Sequence, residues 1–207
     1  MSRAMFFDFD GTLADTRADL AATVNHTRRD FGLAPLDVDV IVSYVGNGAR
    51  KLLERAIPEI ADPPLTVFMS HYLEHAVETV TLYPRVVETL QRLRDDGWLL
   101  GLNTAKPRAA VDLILEKLHI ADLFGSAIIA GGDCAEMKPS SLPLRECAAK
   151  MNHILTPADW MVGDNWTDVE CAANAGIGSI FCDFGFGVLK SSRPTRRIAS
   201  FADLAQW

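Results

Sequence analysis

The sequence contains no long hydrophobic run and no closely spaced pair of cysteines. Across its 207 residues, no apolar stretch approaches the roughly 18–20 residues that span a bilayer. The chain reaches its first acid at Asp8 without an apolar signal core. Its four cysteines form no Cys-x-x-Cys motif, so neither a disulfide framework nor a zinc site is expected. These absences predict a cytoplasmic protein with reduced thiols and no membrane partner.

Positive charge is also scarce. The chain has 20 Lys and Arg against 27 Asp and Glu, which gives a net charge of −7. Nucleic-acid partners are therefore not expected, because phosphate backbones require clustered basic side chains. The one arginine cluster, Arg193, Arg196 and Arg197, stands beside Pro194 and predicts a solvated loop.

Five short apolar runs predict buried strands. They are AMFF from Ala4, WLLGLN from Trp98, AIIAG from Ala127, WMVG from Trp160 and GSIFC from Gly178. Several of the segments between them have helical spacing, as in VVETLQRLRDDG from Val86. Alternating strands and helices indicate an α/β fold with a parallel sheet covered on both faces.

One interval, residues 15–82, breaks this alternation because it contains no convincing strand. It reads as three helices, expected from Thr16 to Gly32, from about Asp39 to Ala56 and from about Leu65 to Val80. In the first helix, Thr16 and Asp19 have the spacing of a capping box. Sixty-odd helical residues exceed what a simple crossover needs, which indicates an inserted helical domain.

The predicted organisation is a core of residues 1–14 and 83–207 with a helical cap of residues 15–82. The cap follows the first strand directly. We expect the cap to move, with hinges near residues 14–16 and 81–84, because a covered site must admit its substrate.

Polar residues recur where four of the apolar runs end, at the edge of a parallel sheet where ligands bind. They are Asp8, Asp10, Thr104, Lys138, Asp164 and Asp168. Residues two apart in a strand project to the same side, so Asp8 and Asp10 are expected to approach each other. Two carboxylates about 6 Å apart repel by roughly 3 kcal/mol at an effective dielectric of 20. Such a cluster predicts a bound cation, and a set of oxygen ligands with room for water favours Mg²⁺.

A carboxylate beside Mg²⁺ can act as the nucleophile in phosphoryl transfer. That reaction depends on positioning and on neutralising charge. Lys138 can offset the charge of a phosphoryl oxygen, and the Thr104 hydroxyl with the following backbone N–H groups, beginning at Ala105, can bind another. Pro107 then opens a helix whose N-terminus favours anions.

Four motifs, in this order, resemble those of the haloacid dehalogenase superfamily of phosphatases. They are DFDGTL from Asp8, NTAKP from Asn103, MKPS from Met137 and GDNWTD from Gly163. The resemblance covers nearly the whole chain and implies a Rossmann-like core with a helical cap.

The resemblance also implies a role for each matching residue. Asp8 is expected to be the nucleophile, and Asp10 the general acid that later activates water. The carboxylates of Asp8 and Asp164 and the backbone carbonyl of Asp10 are expected to hold Mg²⁺. Thr104 and Lys138 are expected to bind the phosphoryl oxygens, and Asp168 to assist at the metal through water or to orient Lys138. The acid at Asp10 distinguishes phosphate-ester enzymes from dehalogenating or phosphonate-cleaving relatives.

The cap segment YVGNGARKLLERAI, from Tyr44, is similar to that of bacterial phosphoglycolate phosphatases. In our hypothesis, Gly46, Asn47 and Gly48 form a turn that exposes backbone N–H groups, and Arg50 binds a small carboxylate. This implies a small phosphorylated metabolite, 2-phosphoglycolate, as the substrate. Two departures from the subfamily pattern are Ala105, where Asn is usual, and Arg85, where Gly is common.

Other functions share the same machinery. A phosphatase of another sugar phosphate, a pyrophosphatase and a β-phosphoglucomutase-like mutase remain open, as does a non-catalytic relative that binds phosphate or a partner. The chain is expected to be a monomer or a homodimer. His71 and His75, four apart on a helix, are interpreted as surface or interhelical residues.

Overall fold

The computed structural model describes residues 2–207 and contains a six-stranded parallel sheet with helices packed against it. The strands of this sheet are β1 (Arg3–Phe7), β4 (Trp98–Pro107), β5 (Ile128–Gly131), β6 (Trp160–Gly163), β7 (Gly178–Cys182) and β8 (Arg196–Ile198). Their order across the sheet is β5-β4-β1-β6-β7-β8. The five predicted strands are confirmed, and the fold is the expected α/β class.

The first strand is buried on both faces, which explains its continuous apolar sequence. Met5 and Phe7 belong to one hydrophobic cluster, whereas Ala4 and Phe6 belong to a second one. Successive side chains of a strand point to opposite faces, so these two clusters are the two layers between sheet and helices. The central strand of the sheet is therefore fixed from both sides.

The α-helices of the described chain are numbered α1 to α9. They are α1 (Arg17–Asp30), α2 (Val38–Val42), α3 (Gly48–Ala56), α4 (Leu65–His75), α5 (Val86–Asp95), α6 (Arg108–Lys117), α7 (Ala121–Phe124), α8 (Leu142–Lys150) and α9 (Trp166–Ala175). A final 3₁₀ helix spans Phe201–Gln206. Within residues 2–207, no helix has both the length and the apolar character that crossing a membrane requires.

The helical insertion after the first strand is confirmed, but its helices differ from the prediction. The expected helix from Asp39 to Ala56 is two helices, α2 and α3, because Gly46 and Gly48 adopt positive φ angles of 115° and 82° between them. The last helix ends at His75, five residues earlier than expected. A helix cannot continue through residues with left-handed φ angles, so one helix ends before them and the next begins in a new direction.

The predicted capping box at Thr16 does not form. Thr16 is the N-cap residue of α1, but its side chain makes no capping bond and instead donates to Asp10 at 2.7 Å. The Asp19 side chain accepts hydrogen bonds from the backbone and side chain of Thr79. Both side chains are thus used for tertiary contacts in place of the local cap.

A short ribbon joins the two ends of the insertion. The strands β2 (Ala14–Asp15) and β3 (Thr81–Leu82) pair in antiparallel register, with Ala14 opposite Leu82. The prediction of no strand in residues 15–82 was therefore wrong at its two ends. Each strand has only two residues, too short a segment for a periodic pattern to be visible.

The arginine cluster near the C-terminus is likewise more ordered than predicted. Arg196–Ile198 forms β8, an edge strand parallel to β7, and Arg197 pairs with Asp183. Ile198 is buried and anchors the strand in the core. Exposed arginines on an edge strand fit a position where one side meets solvent.

Candidate active site

The catalytic residues expected from the sequence gather at the carboxyl edge of the sheet, around β1. The chain passes from β1 to β4 and β5 on one side and then returns to β6 on the other. Asp8 follows β1, and Asp164 follows the neighbouring β6. This reversal of strand order creates the crevice in which open α/β sheets bind ligands.

Three buried carboxyl groups converge in this crevice. Asp8, Asp164 and Asp168 each offer an oxygen within 4.8 Å of the others. Burial raises the pKa of Asp164 well above its ordinary value, and the charges of Asp8 and Asp168 raise it further. The cluster is therefore electrostatically costly unless a positive charge enters it.

Lys138 supplies part of that positive charge. Its ammonium lies 3.0 Å from Asp8 and 2.6 Å from Asp168, and it donates to the backbone carbonyl of Asn103 at 2.9 Å. Burial by itself would lower the pKa of Lys138, but Asp168 and Asp8 outweigh it and the pKa is raised. One ammonium among three carboxyl groups leaves negative charge uncompensated, so these donors fit a divalent cation.

Asp164 is held in place by backbone groups of the loop that follows β7. Its Oδ2 accepts hydrogen bonds from the N–H groups of Phe186, at 2.9 Å, and Gly187, at 2.7 Å. A Cβ atom at Gly11, which has a φ of +78°, would lie 1.9 Å from the same oxygen. Only glycine fits this position, which explains the glycine of the first motif.

Asp168 has a second task at the start of α9. Its side chain accepts a hydrogen bond from the backbone N–H of Asn165, and the Asn165 side chain accepts one from the backbone N–H of Thr167. This reciprocal capping fixes the helix start beside the acid cluster. Asp168 therefore links the ammonium of Lys138 to a rigid element.

The Asp10 carboxylate points to different partners from those of Asp8. It forms an ion pair with Lys106 at 2.6 Å and accepts a hydrogen bond from Thr16. Because β1 ends at Phe7, both acids lie beyond the strand, and the same-side argument for Asp8 and Asp10 does not apply. Asp8 and Asp10 therefore pair with different lysines, Lys138 and Lys106.

Two further residues of the site, Lys106 and Tyr72, were not predicted from the sequence. Lys106 is 4 % exposed, and its ammonium lies 5.5 Å from the centre of the Phe9 ring and 5.0 Å from that of Tyr72. Thr104 and Lys106 are two apart in β4, which extends further than expected, so they face the same side. That spacing was the available signal for Lys106.

A cleft of about 600 Å³, open in part to solvent, joins Asp8, Asp10 and Asp164 to the helical insertion. Lys138 and Asp168 are not among its lining residues, and Lys138 lines a smaller neighbouring cavity. The cleft is lined from the sheet by Asp8, Asp10, Thr104, Ala105, Lys106, Asp164 and Asn165. It is lined from the insertion by Leu20, Val45, Gly46, Gly48, Ala49, Leu52, Phe68 and Tyr72. The insertion therefore covers the carboxyl edge of the sheet, the position expected for a cap.

Two residues of the cap hypothesis lie outside this lining. The exposed Arg50 side chain pairs with Asp62 at 3.3 Å, and the Asn47 side chain accepts a hydrogen bond from Arg55. Gly46 and Gly48 do line the cleft. The structure thus brings the glycine turn to the site without the arginine that was expected to bind a carboxylate.

His71 lies between two helices of the insertion. Its Nε2 is 2.6 Å from an oxygen of Asp30, and its ring packs edge-to-face against His26. His75 also packs against His26 and bonds to Glu78. Both histidines occupy the interhelical position that the sequence indicated.

The parallel sheet with its covering helices and the acid cluster at its carboxyl edge define a protein of the Rossmann-like α/β class. The sequence pattern of the Haloacid dehalogenase-like hydrolase family matches residues 5–182. The chain belongs to this family.

Relatives with the same arrangement are named phosphatases. The chain is 34% identical, over 88% of its length and 84% of the relative's, to a phosphoglycolate phosphatase of Colwellia psychrerythraea. It is 35% identical to one of Chromobacterium violaceum, over 98% and 94% of the two chains. The solved structure of a "predicted phosphoglycolate phosphatase" from Haemophilus somnus superposes with a TM-score of 0.90 at 28% identity, covering 99% of this chain and 97% of that one. The chain is accordingly a phosphoric monoester hydrolase.

Proposed function

We propose that this enzyme hydrolyses 2-phosphoglycolate to glycolate and phosphate, with Mg²⁺ bound and through an aspartyl-phosphate on Asp8. The observation that carries the chemistry is the buried cluster of Asp8, Asp164 and Asp168 with Lys138 in contact. The substrate is supported by relatives named phosphoglycolate phosphatase that match along nearly their full length.

Asp8 is the proposed nucleophile. Its Oδ1 is held by the Phe9 N–H at 2.7 Å and by Lys138 at 3.0 Å, so the carboxylate is fixed in one orientation. An oxygen of Asp8 attacks phosphorus, the bond from phosphorus to the ester oxygen breaks, and the phosphoryl group stays on Asp8. Lys138, with the Thr104 hydroxyl and the Ala105 N–H, offsets the charge on the phosphoryl oxygens.

Asp10 is the proposed acid and base. Its proton passes to the ester oxygen as glycolate leaves, and the carboxylate then takes a proton from the water that hydrolyses the aspartyl-phosphate. The contacts with Thr16 and Lys106 hold the carboxylate near the cleft. Thr16 stands where the chain enters α1, so the orientation of Asp10 depends on the segment that leads into the cap.

In this proposal, Mg²⁺ is held by the carboxylates of Asp8 and Asp164 and by the backbone carbonyl of Asp10. Bound there, the ion would neutralise the phosphoryl oxygens and lower the repulsion that a carboxylate nucleophile meets. Asp168 would assist at the metal through water or, by its 2.6 Å bond, orient Lys138.

We also propose that residues 15–82 move as a cap against a core of residues 1–14 and 83–207. The support is the ribbon of β2 and β3, through which both connections run side by side. An open position would admit substrate and water, and a closed one would exclude bulk water during phosphoryl transfer.

A phosphate-release assay with Mg²⁺ tests the proposal. Among small phosphorylated metabolites, 2-phosphoglycolate is expected to have the highest kcat/KM, and Asp8→Asn is expected to lower kcat by at least about 10³-fold. Asp112→Asn, an exposed acid on α6, is the matched control and should keep wild-type activity.

Two results would contradict the proposal. The first is transfer of phosphate between sugar positions without steady release of inorganic phosphate, which would indicate a mutase. The second is equal inactivity of the wild-type and Asp8→Asn proteins towards 2-phosphoglycolate and towards a generic aryl phosphate, which would indicate a binding protein of this fold.

A further inference from the structure

One part of the cleft has not yet been assigned a contact with the substrate. It contains Lys106 from β4 and Tyr72 from α4, which meet where the cap covers the sheet edge. Lys106 is the one cationic residue in the lining of the cleft as described within residues 2–207. A buried cation in contact with the substrate space calls for an explanation.

Both groups are hydrogen-bond donors with unused capacity. The ammonium of Lys106 has three protons, and Asp10 accepts one of them. The Tyr72 hydroxyl is fully buried and makes no hydrogen bond of good geometry among the described residues. It lies close enough to the Lys106 ammonium for the two groups to interact, which leaves the hydroxyl proton without an acceptor. Burial raises the pKa of Tyr72 to about 12, so its hydroxyl remains protonated. A buried hydroxyl whose proton has no acceptor is unfavourable, and a bound acceptor would remove that cost.

The surroundings of these donors restrict the ligand. The cap contributes Leu20, Leu52 and Phe68 to the same wall, and Tyr72 alone carries a polar side chain among the cap residues described in the lining. A sugar has several hydroxyls that need both donors and acceptors, and this wall offers few partners. A short ligand whose one polar group only accepts hydrogen bonds, namely a carboxylate, fits better.

The position relative to Asp10 also fits. The ammonium of Lys106 is 2.6 Å from the carboxylate that would protonate the ester oxygen. In 2-phosphoglycolate the carboxylate carbon is separated from that oxygen by a single methylene. One ammonium can therefore contact Asp10 and the substrate carboxylate together. Arg50, the residue first considered for this role, is turned towards Asp62.

We propose that Lys106 and Tyr72 form the subsite for the substrate's carboxylate and so select short phosphorylated 2-hydroxy acids. This inference rests on the proposed function, because it assigns the non-phosphate end of the same substrate. The Lys106 ammonium supplies the charge, and the Tyr72 hydroxyl supplies a directed hydrogen bond from the cap. Selection would then require the cap to lie over the site.

The test compares 2-phosphoglycolate with ethyl phosphate, in which a methyl group replaces the carboxylate. The readout is the ratio of the two kcat/KM values in wild type, Tyr72→Phe and Lys106→Met. Removing one hydrogen bond to a charged group is expected to lower the ratio about tenfold in Tyr72→Phe, and removing the charge about 100-fold in Lys106→Met. Lys106→Met should also lower kcat for both esters, because Asp10 loses its partner.

Tyr83→Phe is the matched control. Its ring packs on Phe184 outside the lining of the cleft, so the ratio should stay at the wild-type value. If wild type prefers 2-phosphoglycolate and either site variant keeps that preference, the subsite assignment is overturned while the proposed function stands. If wild type shows no preference between the two esters, the proposed function itself fails.

Discussion

Asp164 is the carboxyl group on which the charge balance of the site depends. It is 2 % exposed, lies against Asp8 and Asp168, and is fixed by two backbone N–H groups. No lysine or arginine pairs with it among the described residues. The protonation state of Asp164 therefore depends on whether a cation is bound.

Asp164→Asn is expected to remove the stabilisation that Mg²⁺ confers. In wild type, saturating Mg²⁺ should raise the melting temperature, because the ion binds only the folded arrangement of carboxylates. In the variant this rise should largely disappear, while the metal-free melting temperature increases by about 2–4 °C as repulsion is relieved. Thermal melts with and without MgCl₂ measure both, and an equal Mg²⁺ shift in the two proteins would contradict the assignment.

The same carboxyl group predicts a pH dependence without metal. Its folded-state pKa is raised from an ordinary value of 3.8, so the folded chain retains a proton that the unfolded chain has released. The stability associated with this proton is complete below pH 3.8 and is lost as pH rises through the folded-state pKa. In metal-free urea unfolding, wild type should therefore lose stability relative to Asp164→Asn as pH rises. A constant difference would count against the raised pKa.

Residues of the site were foreseen from sequence where they follow a buried strand. Asp8, Lys138 and Asp164 could be placed because strand ends in a parallel sheet meet at one edge. Lys106 and Tyr72 were not, because a lone lysine resembles a surface residue unless its spacing from Thr104 is considered, and Tyr72 sits in a helix of packing residues. Only the tertiary contact between cap and sheet gives that pair a chemical context.

At the scale of the elements, apolar runs of four or more residues and amphipathic helices could be recognised in the sequence, whereas strands of two or three residues could not. The strands β2, β3 and β8 have two or three residues each and owe their conformation to pairing with neighbours. The break between α2 and α3 depends on two glycines whose φ angles the sequence does not specify. The local pattern of apolar residues therefore determines the main strands and helices, whereas tertiary contacts determine the short strands and the breaks between helices.

Arg85, at the start of α5, carries backbone strain that a substitution can test. It is the N-cap residue of this helix and has a left-handed φ of 68°. A non-glycine residue in this region costs about 1–2 kcal/mol, only part of which the greater entropy loss of glycine offsets. Arg85→Gly is therefore expected to raise the melting temperature by about 1–3 °C.

Arg85→Ala is the matched control for this change. It removes the side chain, whose contact with Glu88 is 3.9 Å long and exposed, but keeps the strained Cβ. Its melting temperature should stay near that of wild type. Equal gains for Ala and Gly would show that the side chain, not the backbone, is responsible.

At the scale of the whole molecule, the cap touches the core at the glycine turn before α3. A Cβ atom on Gly46 would lie 2.5 Å from the side-chain nitrogen of Asn165, which caps α9. A Cβ atom on Gly48 would lie 2.8 Å from Met137. The cap therefore rests closely on the loops of the core, and a larger residue at Gly46 would have to displace the Asn165 side chain.

Gly46→Ala is expected to weaken substrate binding because the cap can no longer seat against Asn165. The strained φ and the close contact together should cost about 2–3 kcal/mol of stability, and KM should rise severalfold. Gly32→Ala is the matched control, since its φ is also left-handed but nothing lies within 4 Å of the added Cβ. It should lower the melting temperature while KM stays unchanged; a KM that is also unchanged in Gly46→Ala would refute the seating role.

The pairing of Ala14 with Leu82 has one more consequence. The chain departs from the sheet and comes back to it at neighbouring positions, about 5 Å apart as in any antiparallel pair. A segment of any size can be spliced between such points without disturbing the register of β1 with β4. The insertion between these two positions can therefore be replaced by a different one, with a different substrate preference, while the residues at the sheet edge stay unchanged.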